Sequence, residues 1–224
     1  MKGGTMVANA PALERNIEDV LAHLPISGTT DYSRWQTVYG PLIPAKSLYL
    51  VVSGKVAISR VAEDGTEVIL DIVGPDELFG ESAFLGATHH SERATAIEKT
   101  TLMTWAISEM EDLVTKRPRL ALALLQILAQ HNADLTGRIE SFATDGVERR
   151  LARSLLRFSE RLGTREEDGS VRLMPITHAL LSRYVGTSRE VVTQHMNRLR
   201  KQGYLSYSRH GICLYHDALK SSMS

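Results

Sequence analysis

One cysteine, Cys213, is all that this chain of 224 residues contains. A single thiol excludes an internal disulfide framework and fits a reducing compartment. It also excludes a multi-cysteine iron–sulfur cluster or structural zinc site within one chain. No run of about 18 apolar residues is present, so the sequence offers no membrane-spanning helix. The opening stretch MKGGTMVANAPALERN lacks the apolar core of a secretory signal. It reads as a mobile leader over residues 1–18 of a cytoplasmic protein. Enzyme signatures are missing too: no nucleophile–base pair, metal-ligand spacing or glycine-rich phosphate loop can be found. What remains is ordinary globular material, 43% hydrophobic and 23% charged, enough for a sizeable core in one or two domains.

Net charge is zero, but the sum hides an asymmetry. Residues 1–146 carry 12 Lys and Arg against 19 Asp and Glu, whereas residues 147–224 carry 14 against 7. The front is therefore −7 and the back +7. A basic C-terminal third on an acidic front suggests two modules, the second facing a polyanion.

Three patterns follow one another, and together they predict an α+β fold. From about Val38 to Ile107 short β-branched runs are separated by turn residues: Ser53-Gly54, Ala62 to Gly65, Gly74-Pro75-Asp76 and Gly80. Such spacing predicts a sandwich or barrel-like roll, placed at residues 19–108. From Ser108 the pattern turns helical, with Ser108 and Glu111 as a capping box and Pro118 ending or kinking the first helix. Residues 109–145 then hold a long helix. Leu125, Leu128, Asn132, Leu135, Ile139 and Phe142 recur on it at alternating steps of three and four. That seam requires a cover, either the chain's own β domain or the same helix of a second subunit. In the second case Asn132 would set the register of a homodimer.

Residues 146–224 are helical and basic. In ERRLARSLLRFSERLG, Leu151, Leu155, Leu156 and Phe158 face inward. Thr177 caps a further helix, Val185-Gly186-Thr187 makes a tight turn, and Ser188 caps another that ends at Gly203. Helix, glycine turn and longer helix make a helix-turn-helix, and SYSRHGICLYH alternates around His210-Gly211 like a hairpin wing. The second helix gathers Arg189, Glu190, Thr193 and Gln194 on one face. Arg pairs with guanine O6 and N7, Glu accepts from cytosine N4, and Gln pairs with adenine, so this face suits base edges in a major groove. Thr187 and Ser188 at the helix start, with Arg198, Arg200, Lys201 and Arg209, suit phosphate oxygens. A solvated amphipathic helix is the alternative, and the charge asymmetry argues against it.

These segments resemble the CRP/FNR family of bacterial transcription regulators over roughly residues 20–220. The resemblance rests on ITHALLSRYVGTSREVVTQHMNRL, on SLYLVVSGKVAISR and DGTEVILDIVGPDELFGESAFLG, and on the linker VERRLARSLLRFSERLG. It implies a cyclic-nucleotide-binding-type β-roll, a long dimerisation helix and a C-terminal winged helix. It also implies a homodimer on palindromic double-stranded DNA, with RNA polymerase as a further partner and no membrane. In cyclic-nucleotide-binding members a Gly-Glu pair grips the ribose, and Gly80 and Glu81, followed by Ser82, stand there in this chain. The family's Arg-Ser pair for the phosphate falls on Glu92 and Arg93 when the next strand is aligned, or on Arg93 and Ala94 if the loop absorbs a residue. The Thr-Ser pair that contacts adenine in cyclic AMP receptors falls on Leu135 and Thr136. These departures point to an effector other than cyclic AMP. A cyclic nucleotide stays possible, as does the alternative of a nucleotide-binding module acting through protein partners. An iron–sulfur cluster is excluded by the cysteine count. Haem would need an axial ligand from His89, His90 or His131 and is disfavoured, because THHSE reads as an exposed loop. Cys213 reads as an apolar strand residue.

Overall fold

A computed structural model describes residues 20–85, 92–208 and 211–223. The leader, His89, His90, Arg209 and His210 lie outside the described residues. Eight strands form the N-terminal part: β1 (Thr29–Tyr32), β2 (Thr37–Tyr39), β3 (Ser47–Ser53), β4 (Val56–Val61), β5 (Glu67–Val73), β6 (Leu78–Phe79), β7 (Glu92–Ala96) and β8 (Thr100–Ala106). They make two four-stranded sheets, ordered β1-β8-β3-β6 and β2-β7-β4-β5. Every recorded pairing is antiparallel. Alternate side chains of the two inner faces, among them Tyr39, Val51, Val56, Phe79 and Leu102, fill the space between them. Two packed sheets with tight turns are the expected roll. β1 is an addition to the sequence reading. Its residues TTDY are polar and mostly exposed, so no apolar alternation announces it.

Gly80 follows β6 with φ +93°. A Cβ there would sit 2.7 Å from the Ser47 carbonyl oxygen and 2.8 Å from the Tyr49 ring, so only glycine fits this turn.

α1 (Ile107–Lys116) begins one residue before the expected Ser108 cap. β8 runs straight into it, so Ala106 holds the extended N-cap backbone, and Glu109 instead of Glu111 accepts the Ala106 N–H at 2.8 Å. Arg117 alone separates α1 from α2 (Pro118–Thr144), with Pro118 in the first turn, where its missing N–H costs nothing. α2 runs uninterrupted through Gly137. Its N-terminal half packs Leu120 and Ala123 with Met110 on Leu48, Leu50, Leu78 and Trp105, the outer face of the first sheet. Further along, Leu125, Leu128, Leu135, Ile139 and Phe142 are exposed in the single chain.

α3 (Val147–Leu162) buries Leu151, Leu155, Leu156 and Phe158 as expected. Beyond it lie β9 (Thr164–Arg165), β10 (Val171–Leu173), α4 (His178–Val185), α5 (Arg189–Lys201), β11 (Leu205–Ser208), β12 (Gly211–Leu214) and α6 (His216–Ser221). β11 and β12 form the wing of a sheet ordered β11-β12-β10-β9. The winged-helix core is continuous with Ala57, Ile69, Ile72 and Ile97, apolar residues on the outer face of the second sheet of the roll. The two halves therefore share one apolar contact. Arginines reinforce it: Arg161 clamps Asp71 at 2.9 Å and Glu77 at 2.8 Å, and Arg183 pairs with Glu67. Burial alone would lower the Arg161 guanidinium, but Asp71 and Glu77 hold it firmly protonated.

Candidate nucleic-acid interface

The turn that presents α5 is built from three local devices. The Thr177 hydroxyl accepts the Leu180 N–H at 3.1 Å and starts α4. Gly186 ends it in the left-handed region, φ +71°, while its N–H and that of Thr187 both reach the Ser182 carbonyl. Ser188 then accepts the Val191 N–H at 3.3 Å and starts α5. Phe142 of α2 lies against this turn: a Cβ on Gly186 would come within 2.9 Å of its ring. Of the six seam residues, Phe142 thus has a contact inside its own chain.

α5 buries Val192, Met196 and Leu199 and leaves the other face to solvent. Arg189, Glu190 and Gln194 are exposed on its first two turns. Glu190 is held below the usual carboxylate range by its own backbone N–H and by Ser188. Thr193 is placed differently from its neighbours. It is half-buried, donates to the Arg189 carbonyl at 2.9 Å and sits 2.8 Å from His178 Nδ1. Burial, with Arg189 nearby, lowers the His178 imidazole. Around this face stand the expected phosphate contacts. Thr187 and Ser188 are at the helix start and Lys201 is exposed at its end, whereas Arg198 is paired with Glu148 at 2.7 Å and Arg200 lies over the Tyr207 ring. A cleft of about 540 Å³ separates Arg189 from Trp35 of the roll, with Arg183 and Tyr207 along its sides.

The residues of the expected effector pocket are held by one another. Glu81 lies 3.6 Å from His131 Nδ1 of α2. The carboxylate raises the His131 imidazole; burial works against ionised Glu81, yet His131 holds it below the usual range. Ser82 and the Tyr39 phenol each donate to Glu92 Oε1 at 2.8 Å. Burial and Glu92 push the Tyr39 phenol well up, so it remains a donor. Glu92 therefore points toward Gly80–Ser82. Arg93 points to the other face of β7, into a cavity of about 390 Å³ that it shares with Ser59, Glu67 and Arg183. Ala94 is buried in the roll. Leu135 and Thr136 are exposed on α2, and Thr136 donates to the Asn132 carbonyl. The space between Glu81 and α2 is a cavity of only about 30 Å³, room for about one water. Cys213 is half-buried on β12, its thiol 3.1 Å from the Ser170 hydroxyl. Among the described residues no group of His, Cys, Asp and Glu is arranged to hold a metal ion, and no helix is long and apolar enough to cross a membrane.

A β-roll joined through a long helix to a winged helix whose second helix carries exposed polar side chains is the architecture of a DNA-binding regulator. Two family models match, described as the cyclic nucleotide-binding domain over residues 30–117 and the Crp-like helix-turn-helix domain over residues 149–221. A CRP-like cAMP-activated global transcriptional regulator of Mycobacterium tuberculosis is 30% identical over 78% of this chain and 78% of its own length. The transcriptional regulator SdrP of Thermus thermophilus is 34% identical over 72% of this chain and 76% of its own. Among solved structures, the CRP/FNR-family regulator TTHA1359 from the same organism superposes with TM-score 0.69 at 30% identity, covering 88% of this chain and 98% of that one. FixK2 from Bradyrhizobium japonicum shares the fold with TM-score 0.75 at 23% identity, covering 88% and 97%. The chain belongs to the CRP/FNR family and is a transcription regulator of that type, not an enzyme.

Proposed function

We propose that this chain works as a cytoplasmic homodimer that reads a palindromic operator, with RNA polymerase as its downstream partner and an effector other than cyclic AMP. The observation that carries the DNA-reading part is the exposure of Arg189, Glu190 and Gln194 on the first two turns of α5. Ser188 and Thr187 at the helix start, with Arg200 and Lys201 beyond, hold the backbone while Arg198 exchanges Glu148 for a phosphate. Thr193, tied to His178, positions α5 against α4. Dimerisation supplies the second half-site, and the exposed apolar residues of α2 are its natural seam.

Cyclic AMP is disfavoured by the direction of Glu92. A cyclic phosphate carries a full negative charge and needs an Arg aimed at it when buried. Here a carboxylate occupies the inward position, and Arg93 lies on the opposite face. Glu81 is engaged by His131, and Leu135 offers no hydrogen bond to a base. Two lost polar contacts at about 1.5–3 kcal/mol each weaken binding by roughly two to four orders of magnitude. The relatives named for cyclic AMP, such as the mycobacterial one, make calorimetry the deciding experiment. No heat of binding at micromolar cyclic AMP is expected. A micromolar dissociation constant that vanishes in Arg93→Ala overturns the reading and returns Arg93 and Glu81 to a nucleotide pocket. For the DNA-reading part, a gel shift on a palindromic operator must show binding that random DNA does not share.

A further inference from the structure

Two buried polar atoms near the hinge between α2 and α3 have no hydrogen-bond partner: the Tyr184 hydroxyl and Arg157 Nε. Tyr184 is only 2% exposed. Leaving such groups unmade is costly, so a native structure supplies a water or a ligand. Both residues line a cavity of about 420 Å³, within the range of small-ligand sites, about 300–1,000 Å³.

The walls of that cavity are strongly cationic. Arg138, Arg150, Arg153, Arg157 and Lys220 face it against two carboxylates, Asp134 and Glu160. Asp134 is taken by Arg157 Nη2 at 2.9 Å, and Glu160 by His216 at 3.1 Å. Arg138 and Arg150 donate to backbone carbonyls, and Arg153 pairs with Asp145. Lys220 Nζ makes no hydrogen bond or close ion pair among the described residues; the carboxylate its charge acts on is Asp217. Arg157 Nε–H and the Tyr184 O–H are donors set in the cavity wall, each lacking an oxygen acceptor. A negatively charged oxygen also answers the surplus of guanidinium and ammonium charge. Phe142, Leu156 and Met223 give the same cavity an apolar side, which fits a carbon skeleton behind the charged group.

We propose that this cavity binds a small organic anion bearing phosphate or carboxylate groups, held by Tyr184, Arg157 and Lys220. Its walls come from the long helix α2, the hinge helix α3, and α4 of the helix-turn-helix. An occupant fixes the angle between them and so the orientation of α5. That consequence rests on the DNA-reading function above; the binding itself does not.

The test is calorimetry on the full chain at low ionic strength with two probes, pyrophosphate for the phosphate class and citrate for the carboxylate class. Saturable binding of at least one probe is expected. Lys220→Met and Tyr184→Phe should each weaken it about tenfold, the loss of one hydrogen bond to a charged group. Tyr184→Phe keeps the ring packed on Phe158 and removes only an unpartnered hydroxyl, so it folds. Arg60→Ala, on the exposed end of β4 and outside the lining of the cavity, should bind like the wild type. Binding of neither probe means that only water fills the cavity and overturns the proposal. So does binding that Lys220→Met and Tyr184→Phe leave intact, or that Arg60→Ala reduces equally. Gel shifts with the better probe then read the coupling, with operator affinity changing about fivefold or more in the wild type and not in Tyr184→Phe. Unchanged affinity overturns the hinge coupling alone. A chain that binds no operator in any condition refutes the DNA reading and leaves the site to calorimetry.

Discussion

The face of α5 and the Gly80–Ser82 turn carry similar chemistry and use it in opposite ways. Each offers a carboxylate and hydroxyls, with an arginine close in sequence. On α5 the side chains of Arg189, Glu190 and Gln194 are exposed to solvent, and only Glu190 is tied locally, to the helix start at Ser188. At the turn, Glu81 meets His131, Ser82 meets Glu92, and Arg93 is carried to the far face of its strand. A motif becomes a binding site only where the surrounding fold leaves its donors and acceptors unpaired. The same contrast holds for charge. The +7 of the C-terminal part is answered in part by the chain's own acidic front, through Arg161 with Asp71 and Glu77, Arg157 with Asp134, and Arg183 with Glu67. The recognition face lies outside that arrangement.

The sharpest way to break this comparison is to remove the second copy of α5. Leu128→Glu places a charge in the exposed seam of α2, and sedimentation should then show monomers that have lost operator binding altogether, because one winged helix makes too few contacts. A Leu128→Glu protein that stays dimeric moves the interface elsewhere.

The pairing between the halves is next. Arg161→Met leaves Asp71 and Glu77 facing each other in a partly buried site. Chemical denaturation should show a loss of about 2–3 kcal/mol, less than for a fully buried pair because water reaches the group. A change under about 0.5 kcal/mol would show that the apolar contact alone holds the halves together.

On α5 itself, Arg189→Ala should cost roughly 1–3 kcal/mol on the specific site and relax discrimination at a guanine in each half-site. Equal losses on specific and random DNA would reduce Arg189 to a phosphate contact.

The smallest effect belongs to the occupied turn. His131 is raised above its ordinary 6.5 by Glu81, so the pair stabilises the fold fully below about pH 6.5 and fades as pH rises through the higher folded value. Glu81 is lowered, so at the acid end its share is lost only as pH falls from its ordinary 4.5 through the lower folded value. The side chain of Glu81 is 44% exposed, which limits the pair to about 1 kcal/mol or less and makes it sensitive to salt. Stability measured from pH 5 to about 8 should fall more in the wild type than in His131→Gln. Parallel curves would remove the pair from any role in holding Glu81.

Much of this protein follows from local pattern. Thr177, Gly186 and Ser188 punctuate the helix-turn-helix because a cap or a left-handed turn is decided by a few adjacent residues. Leu151, Leu155, Leu156 and Phe158 face inward because a helix repeats every 3.6 residues or so. Short β-branched runs between turn residues likewise announce β3, β4 and β5, and no such run marks the polar β1. The strand alignment also put Glu92 inward and Arg93 outward, since a strand's side chains alternate and one residue of slip exchanges the faces. Tertiary structure alone decided where those side chains end. Thr193 turns to His178, Phe142 to Gly186 and Glu81 to His131, across 15, 44 and 50 positions of sequence. Arg161 reaches Asp71 across 90. The hinge cavity is a still clearer case, for its Tyr184 hydroxyl and Arg157 Nε are set apart by the partners they lack. No periodicity in sequence encodes an unmade bond, because pairing and its absence are both settled by what the folded chain brings within reach.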